Sequence, residues 1–138
     1  TDMTGTVRDW MSKPAVVVEP DTSAAYALTL MRRRKIHSVI VDLSEAGRPG
    51  YGIVTSTDIR DKIVALDLNP AELTVRDIMS SPVRMAQLDW SLRECSVQMQ
   101  ALNVHHLAVA DESGIVIGVI SATDLFTAAE ERGWGSGA

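Results

Sequence analysis

The chain contains itself twice, and this internal repeat constrains its fold more than any other feature. Thr6-Val7-Arg8-Asp9-Trp10-Met11-Ser12-Lys13-Pro14 returns as Thr74-Val75-Arg76-Asp77-Ile78-Met79-Ser80-Ser81-Pro82, a constant offset of 68. At the same offset Asp21, Ser23, Met31, His37 and Val41 meet Asp89, Ser91, Met99, His105 and Val109. The offset then drops to 66, where Gly52, Thr57 and Asp58 meet Gly118, Thr123 and Asp124. A hairpin loop that is longer in one copy accounts for the shift. The 138 residues, which alone would suggest one ordinary domain, therefore read as two half-size copies spanning 5–68 and 71–133.

Each copy has the pattern of a short helical leader followed by β-α-β-β-α, which places the fold in the α+β class. Ala24, Ala27, Leu28 and Met31 fall at helical spacing after the cap signals Asp21, Thr22 and Ser23, and Leu92, Cys95, Met99 and Leu102 repeat the stripe. Val39-Ile40-Val41 and Ile115-Val116-Ile117 read as buried strands, with turns at 45–50 and 111–114. The last helix of each copy is expected at about 57–66 and 123–131. Pro70 discourages its continuation across the linker 67–70, and a frayed tail is expected from Gly133. With 46% hydrophobic residues the chain can bury a core, and with 4% aromatics that core must be aliphatic. A copy of about 65 residues buries only about 60% of its unfolded surface, so the two copies are expected to pack sheet to sheet, with pseudo-twofold symmetry and clefts between them.

Charge narrows the function classes. A net charge of −5 disfavours a surface built to neutralise nucleic-acid phosphates. Arg32-Arg33-Arg34-Lys35 is the one basic run, but it falls where a helix should end and its counterpart Gln100-Ala101-Leu102-Asn103 is uncharged. No apolar run approaches the ~20 residues of a membrane span, so a cytoplasmic protein is expected. The single Cys95 takes the position of Ala27, as a small core residue would, and no metal-ligand spacing is present. The chain opens on Thr1 rather than Met and reads as either trimmed or part of something longer.

The most informative constellation is Gly52-Ile53-Val54-Thr55-Ser56-Thr57-Asp58, answered by Gly118-Val119-Ile120-Ser121-Ala122-Thr123-Asp124. In each, a strand ends on a hydroxyl residue and a carboxylate comes three residues later, in the first helical turn. One reading is a capping box, in which hydroxyl and acid satisfy the orphan N–H groups of the helix start. The other is a ribose site. Free N–H groups at a helix start attract an anion, while Asp58 and Asp124 would accept hydrogen bonds from neutral sugar hydroxyls. A Ser/His/Asp enzyme could be assembled from Ser121, His106 and Asp124, but an acid one turn from its hydroxyl and repeated in both copies suits binding better than catalysis.

The leader Val-Arg-Asp-x-Met-Ser-x-Pro, the His-containing strand and the terminal Gly-x-x-Thr/Ser-x-x-Asp resemble the CBS domain, and two in tandem resemble the CBS pair called a Bateman module. The resemblance runs from about Thr6 to Arg132. It implies that Thr55 with Asp58, and Ser121 with Asp124, hold the ribose of an adenosine nucleotide. His37, His105 and His106 sit where nucleotide-binding members carry a His-Arg pair that touches phosphate, although neither copy here has the Arg. The resemblance also sets the leader of one repeat against the terminal motif of the other, so that Thr6 would complete the Asp124 site and Thr74 the Asp58 site. Val17 and Met85, near the first strands, could wall the adenine.

The resemblance implies a regulatory, non-catalytic module that binds AMP, ADP or ATP, uses no catalytic cofactor and signals in trans to a protein partner. It would associate as a homodimer through its long helices. The alternatives are S-adenosylmethionine or NAD as ligand, or a structural or dimerisation module whose motifs serve only as helix caps. A nucleic-acid module led by 32–35 carries the least weight.

Overall fold

The computed structural model describes residues 5–132, so the expected tail from Gly133 lies outside the described residues. In chain order the elements are α1 (Val7–Trp10), β1 (Val17–Val18), α2 (Ala24–Arg34), β2 (Ser38–Asp42), β3 (Tyr51–Thr55), α3 (Ser56–Ile59), α4 (Val75–Ile78), β4 (Met85–Ala86), α5 (Leu92–Leu102), β5 (His106–Ala110), β6 (Val116–Ser121) and α6 (Ala122–Arg132). The chain leaves α3 through a π-helical segment, Arg60–Val64, and a 3-10 turn, Pro70–Glu72, precedes α4.

The chain divides into two units, and each combines most of one repeat with the leader of the other. The first holds residues 16–83; the second holds 5–15 and 84–132. In the first unit β1 lies parallel to β2 and β2 antiparallel to β3, with Ser38 opposite Thr55. In the second, β4, β5 and β6 repeat this order, with His106 opposite Ser121 and a register shift between Val109 and Ala110. That shift and the differing hairpin loops absorb the change in repeat offset.

Side-chain chemistry explains the helix limits. Ser23 caps α2 by accepting from the Ala25 N–H at 3.1 Å, and Ser91 caps α5 by accepting from the Glu94 N–H at 3.0 Å. Lys35 and Asn103 end these helices in the left-handed region, at φ of 56° and 55°. Arg32, Arg33 and Arg34 form the last turn of α2, where cations complement the exposed carbonyl ends. The expected helix at 57–66 instead splits at Arg60, because the Ala65 N–H bonds to the Arg60 carbonyl, five residues back, at 2.8 Å. Pro70 opens the 3-10 turn after Asn69, whose side chain accepts from the Ala71 N–H at 2.9 Å. The expected buried run 115–117 is also only partly buried. Ile115 precedes β6 and is 45% exposed, and β6 then alternates, as a strand covered mainly on one face does.

Each leader docks by backbone hydrogen bonding at both of its ends. In the first unit Thr74 bridges to Ser23 and Ser80 to Ile53; in the second, Thr6 bridges to Ser91 and Ser12 to Val119. The repeated glycines permit this approach. A Cβ on Gly118 would stand 2.7 Å from the Ser12 carbonyl oxygen, and one on Gly52 would stand 2.8 Å from the Met79 sulfur. The docked leaders also complete the cores. Val75 and Ile78 join Val39, Val41 and Val54 in one cluster, and Val7 joins Leu92, Leu107 and Ile120 in the other. Fully burying one such side chain contributes about 1.5–3 kcal/mol, a large share of what a half-size copy can muster.

Candidate functional site

In the first unit the strand β3 delivers Thr55 to the start of α3, and Asp58 lies in the first turn, 5% exposed. A buried carboxylate requires partners, and this one has a full set. Oδ2 accepts from the Thr55 N–H at 2.9 Å and from the Thr55 hydroxyl at 3.3 Å. Oδ1 accepts from the Lys62 ammonium at 2.9 Å and from the Ser80 hydroxyl at 2.8 Å. These four bonds fill the roughly four acceptor positions that a carboxylate offers. The ammonium is equally committed, because Lys62 also donates to the carbonyls of Ile78 at 3.0 Å and Met79 at 3.1 Å. Lys62 thus ties the terminal motif to the docked leader.

In the second unit β6 delivers Ser121 to the start of α6, and Asp124 is half-buried. Oδ2 of Asp124 accepts from the Ser121 N–H at 2.8 Å, and the Ser121 hydroxyl accepts from the Asp124 N–H at 3.2 Å, which closes a reciprocal capping box. The residue one turn on, at the position of Lys62, is Ala128, which offers no donor. Among the described residues, Oδ1 of Asp124 makes no hydrogen bond. His106 stands opposite Ser121 across the β5–β6 pair, close enough for the two side chains to share one face. Cys95 on α5 is fully buried. Burial pushes its thiol up to about 11, and the nearby charge of Asp124 adds to the rise.

The remaining candidates occupy varied positions. His37 and His105 are exposed and immediately precede β2 and β5, and the His105 carbonyl accepts from the Ala122 N–H at 2.9 Å. The strand register sets Ser38, not a histidine, opposite Thr55. Thr6 and Thr74 start the leader helices, where their N–H groups donate to Asp9 and Asp77 at 2.9 Å. Val17 and Met85, 43% and 39% exposed, open the short edge strands β1 and β4. Two residues outside the candidate set, Lys62 and Ser80, contact Asp58 directly. Ser80 was visible as the repeat partner of Ser12, and Lys62 as an i+4 cation facing Asp58. Among the described residues, no group of three His, Cys, Asp or Glu side chains is gathered to hold a metal ion, and no helix is long and apolar enough to cross a membrane.

Two repeats with swapped leaders, each bearing a hydroxyl and an aspartate at a strand-to-helix turn, define a paired α+β module. The CBS domain family matches residues 7–65 and 75–131, so the chain belongs to that family. It is 30% identical over 113 residues, 82% of its length, to an uncharacterised protein of Methanopyrus kandleri. A homoserine O-acetyltransferase of Methanococcus vannielii is 27% identical over 119 residues. The match spans 57% of the first relative's length and 24% of the second's. Among solved structures, an uncharacterised conserved protein from Pyrococcus horikoshii superposes with a TM-score of 0.82 at 26% identity, over 96% of this chain and 97% of that one. The CBS domain pair of protein MJ0100, solved in complex with 5′-methylthioadenosine and S-adenosyl-L-methionine, superposes with a TM-score of 0.76 at 25% identity, over 89% and 98%.

Proposed function

We propose that this chain is a regulatory CBS pair that binds an adenosine ligand at its strand-to-helix turns and passes occupancy to a protein partner. The observation that carries this reading is the arrangement at Ser121. A half-buried carboxylate lies one turn into the helix and an imidazole stands opposite the hydroxyl, so the start of α6 combines acceptors for ribose hydroxyls with a group able to meet an anion. The ligands of the MJ0100 pair, both adenosine compounds, support the same class. They put S-adenosylmethionine and methylthioadenosine beside AMP, ADP and ATP as candidates. The paired Ser121 and Asp124 cap each other, an arrangement suited to holding a ligand rather than activating a nucleophile.

Exposed apolar side chains on or beside the long helices support self-association. Tyr26 on α2 and Val97 on α5 are about half exposed, and Val64 and Leu66 after α3 are more so. A homodimer through these helices is the form we infer.

A thermal-shift series with AMP, ADP, ATP, NAD, S-adenosylmethionine and methylthioadenosine tests the ligand class. Ligand at 100 times its dissociation constant stabilises by about 2.7 kcal/mol. A rise in melting temperature with at least one adenosine compound is expected, and none with any of them would leave a structural module.

A further inference from the structure

We propose that Lys62 closes the Asp58 motif to ribose, so that the chain takes one adenosine ligand, held at Ser121 and Asp124. This inference rests on the adenosine reading above and decides which of the two repeated motifs serves it. A ribose binds an aspartate of this kind by donating its hydroxyls to free carboxylate lone pairs. Asp58 has none to give. Both its oxygens already accept two bonds each, from Thr55, Lys62 and Ser80.

Displacing these partners would be unfavourable on both sides. The Lys62–Asp58 contact is a charge-assisted bond at 2.9 Å to a carboxylate that is 7% exposed, and neutral sugar hydroxyls could not replace the lost counter-charge. The ammonium would also lose its contact with Asp58 while still lying against the carbonyls of Ile78 and Met79. Its three donors are all in use, so Lys62 is a fitted plug rather than a surface lysine passing by. The π-helical segment Arg60–Val64 begins where the second unit continues as regular α-helix, and it carries Lys62. The second unit has Ala128 instead, and Ser38 of the first unit is replaced by His106. Lys62 is thus a specificity-determining residue that distinguishes two otherwise repeated sites.

Isothermal titration with methylthioadenosine and with AMP tests this on the full chain. One equivalent per chain is expected, with affinity reduced at least tenfold by Asp124→Ala. Two equivalents in the unaltered chain, or affinity retained by Asp124→Ala, would overturn the proposal. Lys62→Met keeps the packed stem and removes the ammonium, and a second equivalent is expected; Lys62→Gln serves if the Met variant fails to fold. Stoichiometry that stays at one in a folded variant would show that Lys62 is not the closure. If neither probe binds the unaltered chain, the adenosine reading fails by itself, and the closure is then read by NMR of the lysine ammonium groups. A Lys62 signal protected from solvent exchange and lost in Asp58→Asn supports it, whereas one exchanging like a free lysine overturns it.

Discussion

The turn after β3 and the turn after β6 descend from one motif, yet they satisfy their aspartates differently. Asp58 draws on Thr55, Lys62 and Ser80, the last from 22 residues away. Asp124 draws on the backbone of Ser121, three residues away. The difference teaches that one carboxylate can serve structure or ligand, because each lone pair used inside the protein is withdrawn from anything outside it. The first unit has spent its aspartate on fastening a leader. Among the described residues, the second leaves Oδ1 of its aspartate without a hydrogen bond.

The sharpest way to break this comparison is to remove each acid in turn. Asp58→Ala strands the Lys62 ammonium and three further donors, and should cost about 3 kcal/mol, at the low end for a buried pair because Lys62 is 39% exposed. Asp124→Ala removes only a helix cap and should cost about 1 kcal/mol in urea unfolding, while losing the ligand. Equal costs would mean that the two motifs are equivalent after all.

The glycines sharpen the contrast next. Gly118→Ala drives a methyl to 2.7 Å from the Ser12 carbonyl oxygen and should cost about 2 kcal/mol, whereas Gly52→Ala meets the Met79 sulfur first and the Ser80 carbonyl oxygen only at 3.2 Å, and should cost about 1 kcal/mol. Hydrogen exchange of the Ser12 and Ser80 amides reports whether each leader has loosened.

A third difference is pH-dependent. Cys95 sits near Asp124, and its position in the first copy is Ala27, which cannot titrate. Its folded pKa of about 11 lies above the ordinary thiol value of 9.0, so the unfolded chain releases this proton first. The contribution is therefore fully present below pH 9 and falls as pH rises through 11, by about 3 kcal/mol at most. Unfolding midpoints across that range should show the fall, and Cys95→Ala should remove it.

The smallest effect is expected from the basic run. Replacing Arg32, Arg33 and Arg34 with Gln removes cations from an exposed helix end and should cost no more than about 1 kcal/mol, with no change in oligonucleotide retention at moderate salt. A marked loss of oligonucleotide binding would restore the nucleic-acid reading.

Much of the molecule is legible in residue type and spacing. The 68-residue repeat, the caps Ser23 and Ser91, and the order of strands and helices all rest on signals that act over one turn or one hairpin. The candidate pairs Thr55 with Asp58 and Ser121 with Asp124 are legible for the same reason. Less is legible at the entry to β6, where the preceding Ile115 is exposed despite its β-branched side chain, because coverage depends on what packs against that stretch. The histidines show the same limit. His37 and His105 are repeat equivalents, but strand register puts His106 opposite Ser121 and Ser38 opposite Thr55.

By itself, the sequence determined that two copies exist, what elements each contains and which turns bear a hydroxyl and an acid. Only the tertiary structure decided that the acids have different partners. Asp58 and Lys62 are four residues apart and meet on one helix face, but the Ser80 hydroxyl and the Ile78 and Met79 carbonyls reach them through a leader lying 16 to 22 residues further along. Such a bond forms when the chain has folded back to bring its partners within about 3 Å, a distance that local spacing does not encode.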